Sequence, residues 1–311
     1  MMQIKSPLLV TGASGLLGAA VVTELAARHQ VVACHGRNSF QWPGVTACGV
    51  DLLDATATQR LLHTTQPRFI IHLAAATHLD HCEKFPSAAA ELNTACTQRL
   101  AEWAALNGAV FVYMSTDSVF AGTQGGYIET DVTEPVNHYA RSKLAGERAV
   151  QACGGEHLII RGNIFGWNAQ NKQNLAEWIL AKLERGETVP GFTDVIFNPL
   201  LVNTLASIIG ALLERGCRGL VHAGSAAPLS KFDFAVALAR EFELPAELIQ
   251  QTTLSAAPLA TQRPLNTSLD CEKLERLLDV TPISIDQELK KFRELRSSGF
   301  VSRLKSALIP L

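Results

Sequence analysis

Three side chains in this sequence have the types and spacing to move a proton onto a carbonyl oxygen. Tyr139 and Lys143 stand four residues apart in "YARSK", so they share one face of a predicted helix. The pKa of a free tyrosine is about 10, and a nearby ammonium lowers it by favouring the phenolate. Thr116 follows a predicted buried strand and could hold the carbonyl oxygen. We predict that these three residues are catalytic, although a half-buried helical tyrosine with a lysine stem along apolar surface gives the same pattern.

A glycine-rich turn lies near the start of the chain. In "VTGASGLLG" the glycines recur every third residue, between a predicted strand and a predicted helix. Glycine permits a tight turn and lets backbone N–H groups approach a pyrophosphate, which the helix N-terminus also attracts. A plain strand–helix turn needs one glycine rather than three at these intervals. The spacing therefore predicts a dinucleotide site formed by Gly12, Ser14, Gly15, Leu16, Leu17 and Gly18.

The end of the second predicted strand indicates which dinucleotide binds. NAD sites usually place an acidic residue about 20 residues beyond the glycines, on the ribose 2′-hydroxyl. Here the segment reads "ACHGRN", with Arg37 and no acid. Since an arginine can pair with a 2′-phosphate, NADP(H) is preferred, with NAD(H) as the alternative. Arg37 could equally be a solvated surface residue. Asp51, beside Leu52, could accept from the adenine amino group or cap a helix near Asp54.

The wider pattern places these motifs on one sheet. Up to Arg161 the predicted strands are 8–10, 31–34, 45–50, "RFIIHLAAA", "AVFVYMS" and 157–161, and the predicted helices include 15–28, 86–107 and 138–152. Such alternation is typical of a parallel sheet covered by helices on both faces. Helical patterns dominate later, near 171–185, 201–214, 230–242 and 283–297, with short strands near 195–197 and 219–223. We predict an α/β fold: a Rossmann-type cofactor domain, 1–165, to which 193–224 returns, and a smaller, mainly α, substrate-binding lobe within 166–311.

Composition and charge exclude several other classes. Of the 311 residues, 47% are hydrophobic and 18% are charged, as expected of a packed globular protein. The net charge is −2 and no basic block occurs, which argues against nucleic acid or an anionic membrane as partner. The longest apolar segment, 199–213, is too short to cross a bilayer. Seven scattered cysteines and no recognisable signal segment predict a cytoplasmic protein with reduced thiols and no metal site.

Taken in order, the motifs resemble the extended short-chain dehydrogenase/reductase family, and within it the dTDP-4-dehydrorhamnose reductase branch. The glycine turn is followed by "AAATHLDHCE" (74–83), "STDSVFAG" (115–122), an acidic segment "YIETDVTEP", and "YARSKLAGE" (139–147). The late "RPLNTSLD" (263–270) also fits that branch. The resemblance covers nearly the whole chain, and its motifs are specific in combination.

The resemblance implies roles for the candidate residues. Tyr139 would protonate the C4 oxygen of a keto sugar, Thr116 would position the carbonyl, and Lys143 would lower the tyrosine pKa and hold the nicotinamide ribose. Arg263 could clamp a substrate diphosphate or form a structural salt bridge. Tyr139 and Lys143 are also implied to contact the cofactor. The further implied cofactor residues are Ala74, Ala75, Ala76 and Asn93, and the implied substrate residues are His78, Asp117, Ser118, Asn163 and Arg263.

Two departures from that branch leave the sugar open. Ser118 stands where the reductases usually have tyrosine, and "IRGNIFGWN" replaces their tryptophan-bearing segment. Within it, Arg161, Asn163 and Gly166 look more like the R-x-x-N-x-x-G pattern of nucleotide-sugar epimerases. Trp167 could stack on a sugar or base, or pack inside the lobe.

Three functions therefore compete. The first is NADPH-dependent reduction of a nucleotide-linked 4-keto-6-deoxy sugar, with a nucleotide sugar as the partner molecule. The second is a nucleotide-sugar epimerase or dehydratase that keeps NAD(P) tightly bound. The third is a non-catalytic regulatory subunit, because the β subunit of methionine adenosyltransferase resembles the same branch and its His-Gly pair is matched by His35–Gly36. In the family, helices equivalent to 86–107 and 138–152 often form a dimer interface, so we expect a monomer or a homodimer.

Overall fold

Strands and helices alternate through the structure, a computed structural model that describes residues 7–257 and 259–310. The strands are β1 (Leu8–Thr11), β2 (Val31–His35), β3 (Asn38–Phe40), β4 (Thr46–Gly49), β5 (Phe69–His72), β6 (Val110–Met114), β7 (His157–Gly162), β8 (Ile164–Phe165), β9 (Val189–Phe192), β10 (Ile196–Phe197), β11 (Leu200–Leu201), β12 (Gly219–Ala223), β13 (Leu229–Ser230), β14 (Ile249–Thr252) and β15 (Leu308–Pro310). The helices are α1 (Leu16–Leu25), α2 (Ala55–Thr65), α3 (Leu79–Lys84), α4 (Pro86–Ala90), α5 (Thr97–Leu106), α6 (His138–Ala152), α7 (Leu175–Glu184), α8 (Val202–Glu214), α9 (Lys231–Glu241), α10 (Glu272–Leu278), α11 (Ile285–Ser297) and α12 (Phe300–Ser306). A π-helical segment, Glu91–Cys96, joins α4 to α5.

The main sheet contains seven parallel strands in the order β4-β2-β1-β5-β6-β7-β12. Its strands are apolar because helices cover both faces. For example, β1 reads "LLVT" and is buried throughout. The chain order reverses between β1 and β5, and ligands of open α/β sheets bind at the carboxyl edge beside such a reversal. The predicted Rossmann-type parallel sheet is confirmed.

Two hydrophobic clusters cover the two faces of this sheet. One contains Leu9, Ile70 and Tyr113 and packs against α2 and α5. The other begins under α1 and α8 and continues without a break into the C-terminal helices, where it includes Phe165 and Phe292. Because the two regions share this core, the lobe is fixed against the sheet rather than tethered by a free linker.

Packing in the lobe decides the role of Trp167. Its ring is buried and stacks on Phe292 with centroids 4.2 Å apart, and its Nε1 donates to the Phe292 carbonyl oxygen at 2.8 Å. Trp167 therefore packs inside the lobe and does not offer its ring to a ligand. Nearby, Ser230 is the N-cap of α9, since its hydroxyl accepts from the N–H of Asp233 at 2.9 Å.

Two helices differ from their predicted extents. The predicted helix 86–107 is divided by the π-helical segment, for which the apolar pattern has no separate signal. Helix α7 begins at Leu175 rather than near 171, because Asn174 and Glu177 form a capping box at that point. Among the described residues, every helix is too short or too polar to cross a membrane.

Candidate active site

A cleft of about 700 Å³ opens at the carboxyl edge of the main sheet and is bounded by the lobe. Many of the predicted site residues line its wall: Gly12, Gly15, Leu16, Leu17, Gly18, Ala75, His78, Thr116, Asp117, Ser118, Tyr139, Lys143, Asn163 and Arg263. The tertiary structure thus brings together the glycine turn, the three predicted catalytic residues and the predicted substrate residues. Ser14, Arg37, Asp51, Leu52, Ala74, Ala76 and Asn93 lie outside this wall.

The glycine turn has the backbone shape that a dinucleotide pyrophosphate requires. Gly12 has a φ of +67°, and a Cβ there would lie 2.7 Å from the Ala74 nitrogen. A Cβ on Gly18 would overlap the Gly12 carbonyl oxygen. Gly15 is the N-cap of α1 and makes no side-chain cap, and the first turn of α1 carries no acidic residue, so the free N–H groups of that turn are open to an anion. The residues present fit a dinucleotide.

Asn93 lies behind the part of the cleft that was predicted to hold the cofactor, and it is hydrogen-bonded to two segments there. Its Oδ1 accepts from the Ala76 N–H at 2.8 Å, and its Nδ2 donates to the Ala76 carbonyl oxygen at 3.0 Å and to the Ser142 hydroxyl at 2.9 Å. The π-helical segment that carries it inserts extra backbone into the helix, a feature common near functional sites. Asn93 therefore joins the 74–76 segment to α6 and acts as a positioning residue.

The Lys143 ammonium is held on the sheet side of α6. Its Nζ donates to the Met114 carbonyl oxygen at 2.7 Å and lies 4.0 Å from the centroid of the Tyr113 ring. Burial lowers the pKa of Lys143 to about 7, and the Glu147 carboxylate offsets part of that fall. The charge of Lys143 therefore changes within the physiological pH range.

Tyr139 differs from the expectation that a neighbouring lysine lowers its pKa. Burial raises the pKa of Tyr139 to about 12, the nearby Thr116 hydroxyl opposes the rise, and Asp117 adds to it. The physical reason is that the phenolate would lose its water, while the Lys143 ammonium is directed to the Met114 carbonyl oxygen. In the protein alone, Tyr139 therefore holds its proton firmly at neutral pH.

Asp117 accepts hydrogen bonds from four side chains on the side of the cleft that was predicted to hold the substrate. Its Oδ1 accepts from the hydroxyls of Thr116 at 3.1 Å and Ser118 at 3.2 Å. Its Oδ2 accepts from Asn163 Nδ2 at 3.0 Å and from the Thr267 hydroxyl at 2.6 Å. One buried carboxylate thus joins the end of β6 to the loop after β7 and to the 263–270 segment. Its oxygens serve protein donors, so Asp117 acts here by positioning its neighbours.

Comparison with known proteins decides the family, since the model of the RmlD substrate binding domain matches residues 6–296. The chain belongs to the RmlD substrate binding domain family.

The rat (Rattus norvegicus) methionine adenosyltransferase 2 subunit beta is 33% identical over 291 residues, covering 86% of this chain and 81% of the relative. A probable low-salt glycan biosynthesis reductase of Haloferax volcanii, Agl14, is 31% identical over 287 residues, covering 90% and 95%. A dTDP-4-dehydrorhamnose reductase of Bacillus anthracis, solved with NADP, superposes with a TM-score of 0.83 at 24% identity and covers 94% of this chain and 99% of that structure. The predicted family resemblance is confirmed.

Two predicted substrate residues, Arg263 and His78, line the cleft wall of the RmlD-family protein and form no ion pair with the residues that the structure describes. Arg263 has no carboxylate partner among the described residues, and its buried Nε has no hydrogen-bond partner there. This arrangement does not support the alternative of a structural salt bridge. The exposed His78 caps α3, with its Nδ1 accepting from the His81 N–H at 3.2 Å.

Among the residues predicted to hold the adenosine end of the cofactor, Asp51 is exposed and Leu52 is buried. Arg37 is exposed after β2. Asp51 accepts from the Leu53 N–H at 3.0 Å, whereas Asp54 caps α2 by accepting from the Ala57 N–H at 3.0 Å. The cap near Asp54 is therefore made by Asp54 itself. The assignments of Arg37, Asp51 and Leu52 to the cofactor stay predictions.

Beneath the predicted catalytic residues lies a buried ion pair that the sequence analysis did not predict. Arg161 Nη2 lies 2.6 Å from Glu147 Oε2, and the Ser115 hydroxyl donates to Glu147 Oε1. Arg161 Nη1 is 3.5 Å from Nε2 of His222, whose pKa burial lowers. A signal was present, because Glu147 follows Lys143 by four residues and so continues the face that carries Tyr139.

The lobe supplies a second set of wall residues that the sequence did not indicate. They lie between the end of β8 and the first residue of α7: Asn168, Gln170, Lys172, Gln173, Asn174 and Leu175. Part of this segment lies within the predicted helix 171–185, whose apolar spacing carries no separate signal for a site.

Proposed function

We propose that this RmlD-family protein is an NADPH-dependent reductase of a nucleotide-linked 4-keto-6-deoxy sugar. The observation that carries the proposal is the convergence of Thr116, Tyr139 and Lys143 in one cleft with the glycine turn. A reductase among the curated relatives, and a dTDP-4-dehydrorhamnose reductase among the structures with the same fold, support it. In this proposal 1–165 with 193–224 forms the cofactor domain, and the rest of 166–311 forms the substrate lobe of a cytoplasmic monomer or homodimer.

Carbonyl reduction adds a hydride to the carbon and a proton to the oxygen, and NADPH, when bound, supplies the hydride. The proton comes from the Tyr139 hydroxyl, which a pKa of about 12 keeps protonated until the carbonyl oxygen gains negative charge. As the proton leaves, the phenolate is stabilised by the Lys143 ammonium turning from the Met114 carbonyl oxygen and by the Thr116 hydroxyl turning from the Asp117 carboxylate. Thr116 is fixed for this purpose, since its oxygen accepts from the Ser118 N–H at 3.2 Å.

The same cleft determines how the ligands are held. Backbone N–H groups at the glycine turn hold the cofactor pyrophosphate, and Arg37 binds the 2′-phosphate that distinguishes NADP(H) from NAD(H). On the opposite side, Arg263, which has no carboxylate partner in the described part of the chain, meets the diphosphate of the nucleotide sugar.

The test is NADPH oxidation after addition of a dTDP-4-keto-6-deoxyhexose, with Tyr139→Phe measured beside the wild type. We expect oxidation by the wild type and a loss of about 10²- to 10⁴-fold in the variant, which lacks the proton donor. NADPH affinity should be unchanged. Tight NADPH binding without oxidation by the wild type would overturn the reductase assignment, and cofactor that survives purification would favour the epimerase or dehydratase.

The second candidate function is that of a regulatory subunit. It is favoured by the 33% identity to methionine adenosyltransferase 2 subunit beta over 86% of the chain. A subunit of this kind would bind a methionine adenosyltransferase and change its activity, and Tyr139→Phe would leave that effect intact. Mixing the two purified proteins and measuring both complex formation and adenosyltransferase activity distinguishes this function from the reductase.

A further inference from the structure

A side chain of the lobe is hydrogen-bonded to the glycine turn. Gln170 Nε2 donates to the Ser14 carbonyl oxygen at 2.9 Å and lies 3.4 Å from the Ser14 hydroxyl oxygen. Ser14 lies between Gly12 and Gly15, the residues that shape the turn. The lobe therefore contacts the cofactor side of the cleft directly, and not only through the shared core.

The segment that carries Gln170 has its own internal hydrogen bonds. Asn168 Nδ2 donates to the Lys172 carbonyl oxygen at 2.7 Å, and Asn168 Oδ1 accepts from the Gln170 N–H at 3.0 Å. At the other end, Asn174 caps α7 and its Nδ2 donates to the Gly166 carbonyl oxygen at 2.7 Å. These bonds hold residues 168–174 as a shaped loop at the mouth of the cleft.

The loop also brings a positive charge to the cofactor side. The cationic residues of the cleft wall are Lys143, Lys172 and Arg263. Lys143 is engaged with Met114, whereas Lys172 Nζ reaches across the cleft to within 3.5 Å of the Thr77 hydroxyl oxygen. The first turn of α1 contains no basic residue. A helix N-terminus contributes only about half a unit charge, so a cation facing it would strengthen the attraction for a pyrophosphate.

We propose that residues 168–174 form the second wall of the cofactor pyrophosphate site. Lys172 neutralises the pyrophosphate, and the bond from Gln170 to Ser14 holds the wall closed. This inference rests on the proposed function and deepens it. The Gln170–Ser14 bond tethers this wall to the glycine turn, so its loss should let the wall move and the cofactor dissociate faster.

The test compares NADPH binding by the whole protein and by three variants, measured through NADPH fluorescence at equilibrium and in stopped-flow displacement. Lys172→Gln should raise the Kd roughly fivefold at low salt, and the difference should shrink as salt increases. Gln170→Ala should raise the dissociation rate by a similar factor. The matched control is Lys290→Gln, on an exposed lysine of α11 outside the cleft wall, which should leave both quantities unchanged.

A second ligand separates the pyrophosphate from the rest of the cofactor. Adenosine 2′-phosphate contains no pyrophosphate, so its affinity, measured by competition, should be the same for wild type and Lys172→Gln. Failure of the wild type to bind NADPH would contradict the proposed function itself. NADPH binding by the wild type with unchanged Kd and dissociation rate in both loop variants would overturn this inference alone. Equal weakening of both ligands by Lys172→Gln would also overturn it.

Discussion

The two walls of the cleft are built in different ways. The cofactor wall is a run of sequence neighbours, in which Gly12, Gly15 and Gly18 shape the backbone from the end of β1 into the first turn of α1. The substrate wall is assembled around Asp117, which accepts hydrogen bonds from Asn163 and Thr267 on distant segments. A change in the first wall acts through backbone overlap, and a change in the second acts through single side-chain hydrogen bonds. The largest effects are therefore expected in the first wall.

The largest expected effect on ligand binding is that of Gly18→Ala. Its Cβ would overlap the Gly12 carbonyl oxygen, and because that atom belongs to the backbone it cannot rotate away. We expect NADPH affinity to fall by at least about a hundredfold, or roughly 3 kcal/mol. Gly210→Ala in α8 is the control, since its Cβ would lie 3.0 Å from a flexible Leu25 methyl group. Normal NADPH affinity in Gly18→Ala would remove the proposed difference between the walls.

Glu147→Gln tests the ion pair beneath the two walls. The variant leaves the Arg161 guanidinium buried without a carboxylate, which costs about 3–5 kcal/mol when one partner of a buried pair is removed. Denaturant unfolding should show this loss of unfolding free energy. Glu91→Gln is the control, because its bond to Arg99 is exposed and such pairs contribute about 1 kcal/mol or less. Equal stabilities of the two variants would contradict a structural role for the buried pair.

The same variant has an expected effect on the pH profile. The Glu147 carboxylate raises the pKa of Lys143, which burial lowers to about 7. Lys143 is charged below its pKa, so wild-type reductase activity should fall as the pH rises through about 7. Loss of the Glu147 charge lowers that pKa further, so the decline in Glu147→Gln should begin at lower pH. Identical pH profiles for kcat/KM would show that Lys143 does not control this step.

Thr267→Val tests the substrate wall. It removes the hydroxyl that donates to Asp117 Oδ2 at 2.6 Å and leaves a buried carboxylate oxygen with one donor fewer. We expect KM for the sugar nucleotide to rise roughly tenfold, while the Kd for NADPH stays unchanged. Thr253→Val, on an exposed threonine, is the control. A parallel loss of NADPH affinity would mean that the two walls are not independent.

The smallest effect is expected at the adenosine end. Arg37→Ala should weaken NADPH binding about fivefold and leave NADH binding unchanged, because an exposed charge pair contributes about 1 kcal/mol. Arg141→Ala, on the exposed side of α6, controls for loss of surface charge. If Arg37→Ala binds both dinucleotides as the wild type does, Arg37 is a solvated surface residue.

Much of the fold could be predicted because its elements have strong periodic patterns. Helix α6 has the predicted bounds, 138 and 152, and β12 has the predicted bounds, 219 and 223. Helix α2 was missed since "ATATQRLLHTT" is rich in threonine and buries few residues. The predicted helix 171–185 includes part of the loop 168–174. Apolar spacing alone does not show that α7 begins at the capping box formed by Asn174 and Glu177.

The sequence by itself determined the glycine turn and the common helical face of Tyr139, Lys143 and Glu147. These features depend on residues within a few positions of each other, where backbone geometry is local. Only the tertiary structure decided that Tyr139 keeps its proton while Lys143 has a pKa of about 7, and that Gln170 reaches Ser14. Desolvation and long-range hydrogen bonds depend on what packs around a residue, and those neighbours are supplied by distant parts of the chain.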